Sequence, residues 1–135
     1  MVVKGFMQKK EIDYEEGDIS SPVVQETSIM LTLGILLMCD YYGSLLDVVG
    51  AFLNGELEEE VYMEVPQGFE TKYGTNSVLQ LNKAVNGLLQ GAKQFWKKIV
   101  SILVDEMGYK HNCADPCFMF KYQDDGSVVL WLVWI

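Results

Sequence analysis

One short stretch, residues 46–55, constrains this chain more than any other part of its sequence. An apolar run carries a single carboxylate at Asp47, an aromatic follows at Phe52, and Asn-Gly closes the stretch as a tight-turn signal. The apolar run over 44–49 predicts a buried strand with Asp47 near its end. Mg²⁺ prefers oxygen ligands and usually takes one or two protein carboxylates together with substrate phosphates. Asp47 is therefore a candidate for half of a metal site, with Phe52 as a wall close to it.

Bulk composition fits one globular domain but not a strong nucleic-acid binder. The chain has 135 residues, and half of them are hydrophobic, which is enough to bury a core. Its net charge is −9 and it contains no arginine, whereas contacts with phosphate need Lys and Arg. Three cysteines do not make a disulfide framework, and no signal peptide or membrane-spanning stretch is visible. We therefore expect an intracellular protein, in the cytoplasm or nucleus, that is neither secreted nor embedded in a membrane.

Hydrophobic periodicity predicts helices and strands in an order typical of an α+β fold. A helix over 29–38 is apolar nearly all round, so we expect it to be buried. Apolar residues recur at helical spacing within 92–107, which predicts an amphipathic helix. Strands are predicted over 61–65, after a solvated acidic loop, and over 78–81, and a final hairpin turns at 123–126. The fold class that follows is α+β, with helices on one face of a mainly antiparallel sheet.

A series of short blocks runs from about Val3 to the C-terminus in an order more informative than any single motif. The blocks are Val3-Lys4-Gly5-Phe6-x-Gln8-Lys9, Ile12-Asp13-Tyr14-Glu15-Glu16, Ser21-Pro22-Val23-Val24, Leu46-Asp47-Val48, Ala51-Phe52-Leu53-Asn54-Gly55-x-Leu57-Glu58-Glu59-Glu60-x-Tyr62-Met63, Pro66-x-Gly68-Phe69, Leu81-Asn82-Lys83, Gly87-Leu88-x-Gln90 and Asp115-Pro116-Cys117. In this order they resemble the reverse transcriptase of copia-type retrotransposons, an RNA-directed DNA polymerase.

The resemblance implies a partial right-hand polymerase. Residues 1–42 would be a fingers-like segment and helix, and residues 43–135 would be part of the palm. Polymerases of this family are nucleotidyltransferases that use Mg²⁺ and extend a primer on an RNA or DNA template from deoxynucleoside triphosphates. The partners of the intact family are therefore template–primer and dNTP, and we expect this acidic fragment to bind them weakly or not at all.

Four residues take roles from the resemblance, position by position. Asp47 matches the first metal-binding aspartate, and the backbone carbonyl of Val48 would lie beside the ion. Phe52 matches the aromatic that presses on the deoxyribose and excludes a 2′-hydroxyl. Gln90 matches a glutamine near the incoming nucleotide.

The second carboxylate motif of the family, a Tyr-x-Asp-Asp turn, does not follow the last apolar strand at 128–133. The residues Tyr122-Gln123-Asp124-Asp125 fit its letters, but their distance from Asp115 favours an ordinary hairpin turn. Around Asp47 and Gln90, Val49-Gly50 and Leu89 also replace residues usual in the family. We therefore expect a chain truncated before the Tyr-x-Asp-Asp motif, with an incomplete metal site.

These observations favour a reverse transcriptase fragment that is catalytically inactive alone. Two alternatives stay open: a domesticated binding or interaction module without catalysis, and a piece of an intact retrotransposon polyprotein cut by a wrong gene model. Without the rest of the palm, the apolar C-terminal strand would be exposed, so self-association through it is a further expectation.

Overall fold

The computed structural model describes residues 3–15, 17, 19–74 and 76–135. Its helices are α1 (Glu26–Met38), α2 (Glu70–Tyr73) and α3 (Gly91–Ser101). Its strands are β1 (Glu56–Glu64), β2 (Val78–Lys83), β3 (Lys110–His111), β4 (Phe118–Tyr122) and β5 (Val128–Leu132). All strand pairs are antiparallel, so the α+β class is confirmed.

The chain forms two compact units, each discontinuous in sequence. Unit 1 comprises Met1–Ser20 and Gly50–Lys98, and unit 2 comprises Ser21–Val49 and Ile99–Ile135. The helix α3 begins in unit 1 and ends in unit 2. Neither unit coincides with residues 1–42 or 43–135, and the assignment of those ranges to fingers and palm stays a prediction.

Unit 1 is built on the two-stranded sheet β1–β2, in which Val61 lies opposite Leu81. Exposure alternates along β1, and the alternating residues from Val61 to Glu64 predict this for the second half of the strand. The inward side chain of Val61 packs in a buried cluster with Ala84 and Leu88. This cluster is the core of unit 1.

The acidic run that we expected in a solvated loop belongs to β1 instead. Two of its carboxylates have partners that keep this strand in place. Lys97 Nζ lies 2.5 Å from Glu58 Oε2, and Gln90 Nε2 donates to Glu59 Oε2 at 3.2 Å. The prediction was wrong because these partners are far from the acidic run in sequence.

Unit 2 contains a three-stranded sheet in the order β3-β4-β5. The hairpin of β4 and β5 confirms the one predicted, with Phe118 opposite Leu132 and Tyr122 opposite Val128. Met119 is 0% exposed and lies on β4, and Leu103 and Cys117 are also buried. β5 is an edge strand of this sheet, and self-association through it stays a prediction.

The amphipathic helix predicted within 92–107 is confirmed. α3 begins at Gly91 and continues beyond Ser101 as a π-helical turn, Ile102–Glu106. Gly108 follows with φ of +75°, the left-handed conformation that commonly ends a helix. Within the part of the chain that the structure describes, no helix has the length and hydropathy needed to cross a bilayer.

The helix predicted over 29–38 is present as α1, but its predicted burial is wrong. None of its residues is buried, and Met38 is 88% exposed. A helix that is apolar all round has no single face to direct toward a core, so packing on one side leaves the others open.

The strand predicted over 44–49 is also wrong. The segment has no regular secondary structure, and Leu45 is 100% exposed. A strand needs a neighbour for its backbone N–H and C=O groups, and no strand of the described residues pairs with this segment.

Candidate functional site

The aromatic candidate Phe52 lies in a short 3-10 turn, Ala51–Asn54, just before β1. Gly50 starts this turn in the left-handed conformation, with φ of +64°, and its carbonyl accepts the N–H of Leu53 at 2.9 Å. The ring of Phe52 is half-buried, and its Cγ lies 3.5 Å from where a Cβ on Gly91 would be. The turn therefore holds the aromatic ring against the first residue of α3.

The end of the same turn lies directly on α3. A Cβ on Gly55 would be 2.9 Å from both Cβ of Gln94 and the backbone N of Phe95. Glycine is needed there for close approach, since its φ of −77° suits any residue. The chain does turn at Asn54-Gly55, as the sequence predicts, but the positive φ is at Gly50.

The side chain of Gln90 makes three hydrogen bonds within unit 1. It is 0% exposed, and its Nε2 donates to the backbone carbonyl of Asp13 at 2.7 Å and to Glu59 Oε2 at 3.2 Å. Its Oε1 accepts a hydrogen bond from Gln8 Nε2 at 2.9 Å. The side chain thus joins three segments of unit 1, and its contact with an incoming nucleotide stays a prediction.

Gln8 lies within one of the family blocks, but the sequence did not indicate a role for it. The structure shows a second bond from the same side chain, since Gln8 Oε1 accepts the N–H of Leu89 at 3.1 Å. A signal was present in the sequence, since two family blocks each carry a glutamine and a buried amide needs hydrogen-bond partners.

Asp47 and Val48 lie in the irregular segment before Gly50, and both are exposed. They belong to unit 2, whereas Phe52 and Gln90 belong to unit 1. The structure therefore brings Phe52 to the residue after Gln90 and leaves the metal-ligand candidates in a separate unit.

A magnesium site does not follow from the described residues. Within residues 3–15, 17, 19–74 and 76–135, no three His, Cys, Asp or Glu side chains converge on a point that a metal ion could occupy. Asp47 with the Val48 carbonyl offers two oxygen donors, and Mg²⁺ requires near-octahedral coordination by oxygen. These two oxygens would therefore fill only part of the coordination sphere of the ion.

The second candidate pair of carboxylates, Asp124 and Asp125, lies in the turn between β4 and β5. Asp125 Oδ1 accepts the N–H of Ser127 at 2.8 Å. Hydrogen bonds from the side chain and the backbone of Ser127 lower the pKa of Asp125. The predicted hairpin turn is present at these residues, and their exclusion from the metal site stays a prediction.

A buried carboxylate in unit 2, Asp115, received no role from the sequence. It is 2% exposed and accepts the backbone N–H of Gln25 at 3.0 Å and of Cys117 at 2.9 Å. Burial pushes its pKa up, but hydrogen bonds from Ser28, Gln25 and Cys117 outweigh burial, and the pKa of Asp115 is lowered. Because Gln25 is the N-cap of α1, this carboxylate ties the helix to the sheet of unit 2.

Comparison with known proteins decides the family. A sequence model described as reverse transcriptase (RNA-dependent DNA polymerase) matches residues 1–134. The chain belongs to the reverse transcriptase family. No solved structure matches this reverse transcriptase chain.

Several curated relatives of this reverse transcriptase chain are Pol polyproteins. The Retrovirus-related Pol polyprotein from transposon TNT 1-94 of Nicotiana tabacum is 42% identical over 135 residues, which are 100% of this chain and 10% of that protein. Those from transposons RE2 and RE1 of Arabidopsis thaliana are 34% and 35% identical, each over 100% of this chain and 9% of the relative. The chain spans about a tenth of the length of the curated relatives it matches, and its resemblance to a retrotransposon reverse transcriptase fragment is confirmed.

Proposed function

We propose that this chain forms the sugar-binding side of the nucleotide site in a retrotransposon RNA-directed DNA polymerase, and that it is inactive alone. The observation that carries the proposal is the packing of Phe52 against Gly91, the residue that follows buried Gln90. Phe52 and Gln90 come from two family blocks that are distant in sequence. The packing of one beside the residue that follows the other supports one shared site in unit 1.

The role proposed for Phe52 is to exclude a ribose 2′-hydroxyl. Its half-buried ring has Gly91 behind it, and Gly55 holds the turn within close contact of Gln94 and Phe95. A ring supported in this way cannot move back to admit an additional hydroxyl without displacing α3. The consequence is a preference for deoxynucleoside over ribonucleoside triphosphates.

Asp47 is proposed as one ligand of a divalent metal, with the Val48 carbonyl as a second. The reverse transcriptase family generally uses a divalent metal, and we propose Mg²⁺ because both donors are oxygens. The two donors are exposed, so they are open to further ligands. The missing anionic ligands of the family's Tyr-x-Asp-Asp motif are the reason for proposing that this chain does not catalyse polymerisation alone.

The template–primer is the proposed macromolecular partner of the intact polymerase, because reverse transcriptases generally bind a nucleic-acid template. This chain has a net charge of −9, which opposes binding of RNA or DNA phosphates. We therefore propose that most of the affinity for nucleic acid comes from the other nine-tenths of a protein such as the tobacco relative.

A chimera tests the proposal at both residues. The 135 matched residues of the Nicotiana tabacum polyprotein are replaced by this chain, and primer extension is measured beside the unmodified parent. Asp47→Asn should lower the rate at least about 100-fold, since a metal's charge stabilisation is worth several kcal/mol. Phe52→Val should lower the preference for dNTP over rNTP by about 10- to 200-fold.

The matched control is Asp105→Asn, which neutralises another exposed aspartate and should leave both quantities unchanged. Full activity of the Asp47→Asn chimera would remove the metal-ligand role. An unchanged nucleotide preference in the Phe52→Val chimera would remove the sugar-wall role.

A further inference from the structure

We propose that Gln8 is the positioning residue that sets where Phe52 meets the nucleotide sugar. The inference rests on the proposed function, because it concerns the same sugar wall. Gln8 acts on the Phe52 ring indirectly. It acts through the turn formed by Leu88, Leu89 and Gln90, which leads into Gly91 at the start of α3.

The first step is the double hydrogen bond of the Gln8 amide. Its Nε2 donates to Gln90 Oε1 at 2.9 Å, and its Oε1 accepts the N–H of Leu89 at 3.1 Å. A primary amide offers a donor and an acceptor side by side, so one side chain holds two consecutive residues of the turn. An alanine or an acidic residue at this position cannot make both bonds.

The second step is that, among the described residues, the Gln8 amide supplies the side-chain hydrogen bond that Gln90 Oε1 accepts. Its Nε2 is used by the Asp13 carbonyl and by Glu59, and the side chain is 0% exposed. Among the described residues, no buried side-chain nitrogen or oxygen lacks a partner. Removal of the Gln8 amide would leave Gln90 Oε1 buried without this donor, which is costly enough to shift the turn.

The third step is that the segment carrying Gln8 is itself fixed to the same loop. The N–H of Val3 donates to the carbonyl of Asn86 at 2.9 Å, and a Cβ on Gly5 would overlap the carbonyl oxygen of Gly87. The segment therefore lies in backbone contact with the loop before it reaches Gln8. Gln8 has a fixed base from which to hold Leu89 and Gln90.

The last step joins the turn to the aromatic ring. Gly91 follows Gln90 directly, and a Cβ on Gly91 would lie 3.5 Å from Phe52 Cγ. Any displacement of the turn that carries Gln90 moves the surface on which this ring rests. The expected result is a looser sugar wall and weaker rejection of the ribose 2′-hydroxyl.

The first measurement uses the full 135-residue chain and NMR. In Gln8→Ala we expect Leu89 amide exchange to accelerate about tenfold, the change that corresponds to one net hydrogen bond, and the Phe52 ring signals to shift. Gln67→Ala is the matched control, since Gln67 is an exposed glutamine of the same unit. Unchanged Leu89 exchange and Phe52 signals in Gln8→Ala would overturn the inference.

The second measurement uses the polymerase chimera and separates the inference from the proposed function. Gln8→Ala should lower the dNTP-over-rNTP preference by about tenfold, less than Phe52→Val, while Gln67→Ala leaves it unchanged. If Phe52→Val lowers the preference and Gln8→Ala does not, the inference fails and the proposed function stands. If Phe52→Val has no effect, the proposed function fails and the inference fails with it.

A second variant keeps the test valid if Gln8→Ala does not fold. Gln8→Glu retains an acceptor for the Leu89 N–H but, when ionised, has no donor for Gln90 Oε1. We expect Leu89 exchange near that of the unmodified chain, with shifted Phe52 signals and an intermediate nucleotide preference. The inference would be overturned if Gln8→Glu had the same Phe52 NMR signals and the same dNTP-over-rNTP preference as the unmodified protein.

Discussion

The buried Gln90 side chain of unit 1 and the exposed apolar helix α1 of unit 2 show opposite relations between hydropathy and burial. In unit 1, Gln90 is fully buried and every bond it makes goes to residues of that unit. In unit 2, α1 has no buried residue, and Leu45 after it is 100% exposed. The difference teaches that burial in this chain follows specific close contacts rather than hydropathy, because an apolar sequence without a neighbouring surface stays open.

The largest expected effect comes from comparing two methionines of unit 2. Met119→Ala should lower the free energy of unfolding by about 2–5 kcal/mol, because Met119 is fully buried on β4. Met38→Ala should lower it by less than about 0.5 kcal/mol, because Met38 on α1 is exposed. Urea unfolding measures both. Equal losses would show that α1 is buried in solution and would break the comparison.

A smaller effect is expected at the carboxylate that ties α1 to the sheet of unit 2. Asp115→Asn should cost about 1–3 kcal/mol at pH 7, because an amide nitrogen cannot accept the bonds made by Gln25 or Cys117. The pKa of Asp115 is lowered from its ordinary value of 3.8, so its stabilisation is complete above that pH. It is lost as the pH falls through the folded-state pKa.

Urea unfolding between pH 7 and pH 2 measures this dependence. The difference between the unmodified chain and Asp115→Asn should be constant above about pH 5 and shrink in acid. Asp105→Asn, at an exposed aspartate of the same unit, is the control. If the difference in the free energy of unfolding instead grows in acid, ionisation of Asp115 destabilises unit 2, and the account is contradicted.

Substitutions of two glycines, one from each unit, should change stability in opposite directions. Gly55→Ala in unit 1 should lower stability by about 1–3 kcal/mol, because its Cβ would be 2.9 Å from Gln94 and Phe95. Gly34→Ala in α1 of unit 2 should raise stability by about 0.5–1 kcal/mol, since nothing lies within 4 Å and alanine favours helix. Thermal unfolding checks both. The same sign at both positions would contradict the account of close contact in unit 1.

The sequence predicted elements whose signal is local. The helical spacing around α3 and the turn between β4 and β5 were both visible, and the structure has both. The strand over 44–49 failed because an apolar run does not reveal whether a pairing partner exists. Hydropathy likewise indicated that α1 would be buried, but hydropathy says nothing about the surface available to cover a helix.

The candidate site was predictable only in part, for a similar reason. The resemblance pointed to Phe52 and Gln90 as neighbours of one nucleotide, and the structure brings Phe52 to Gly91. The burial of Gln90 could not be read from the sequence, because its partners Gln8, Asp13 and Glu59 lie in two other segments. The roles of Asp47 and Val48 stay predictions.

Primer extension by the isolated 135-residue chain is the most direct test of the central claim, that this chain supplies only one of the carboxylates a polymerase needs. The assay contains an RNA template, a DNA primer, dNTPs and Mg²⁺, with the unmodified tobacco polyprotein as the positive control. We predict no extended primer above background from the isolated chain. Extension that disappears in Asp47→Asn would contradict the account, because it would show a complete catalytic centre within these residues.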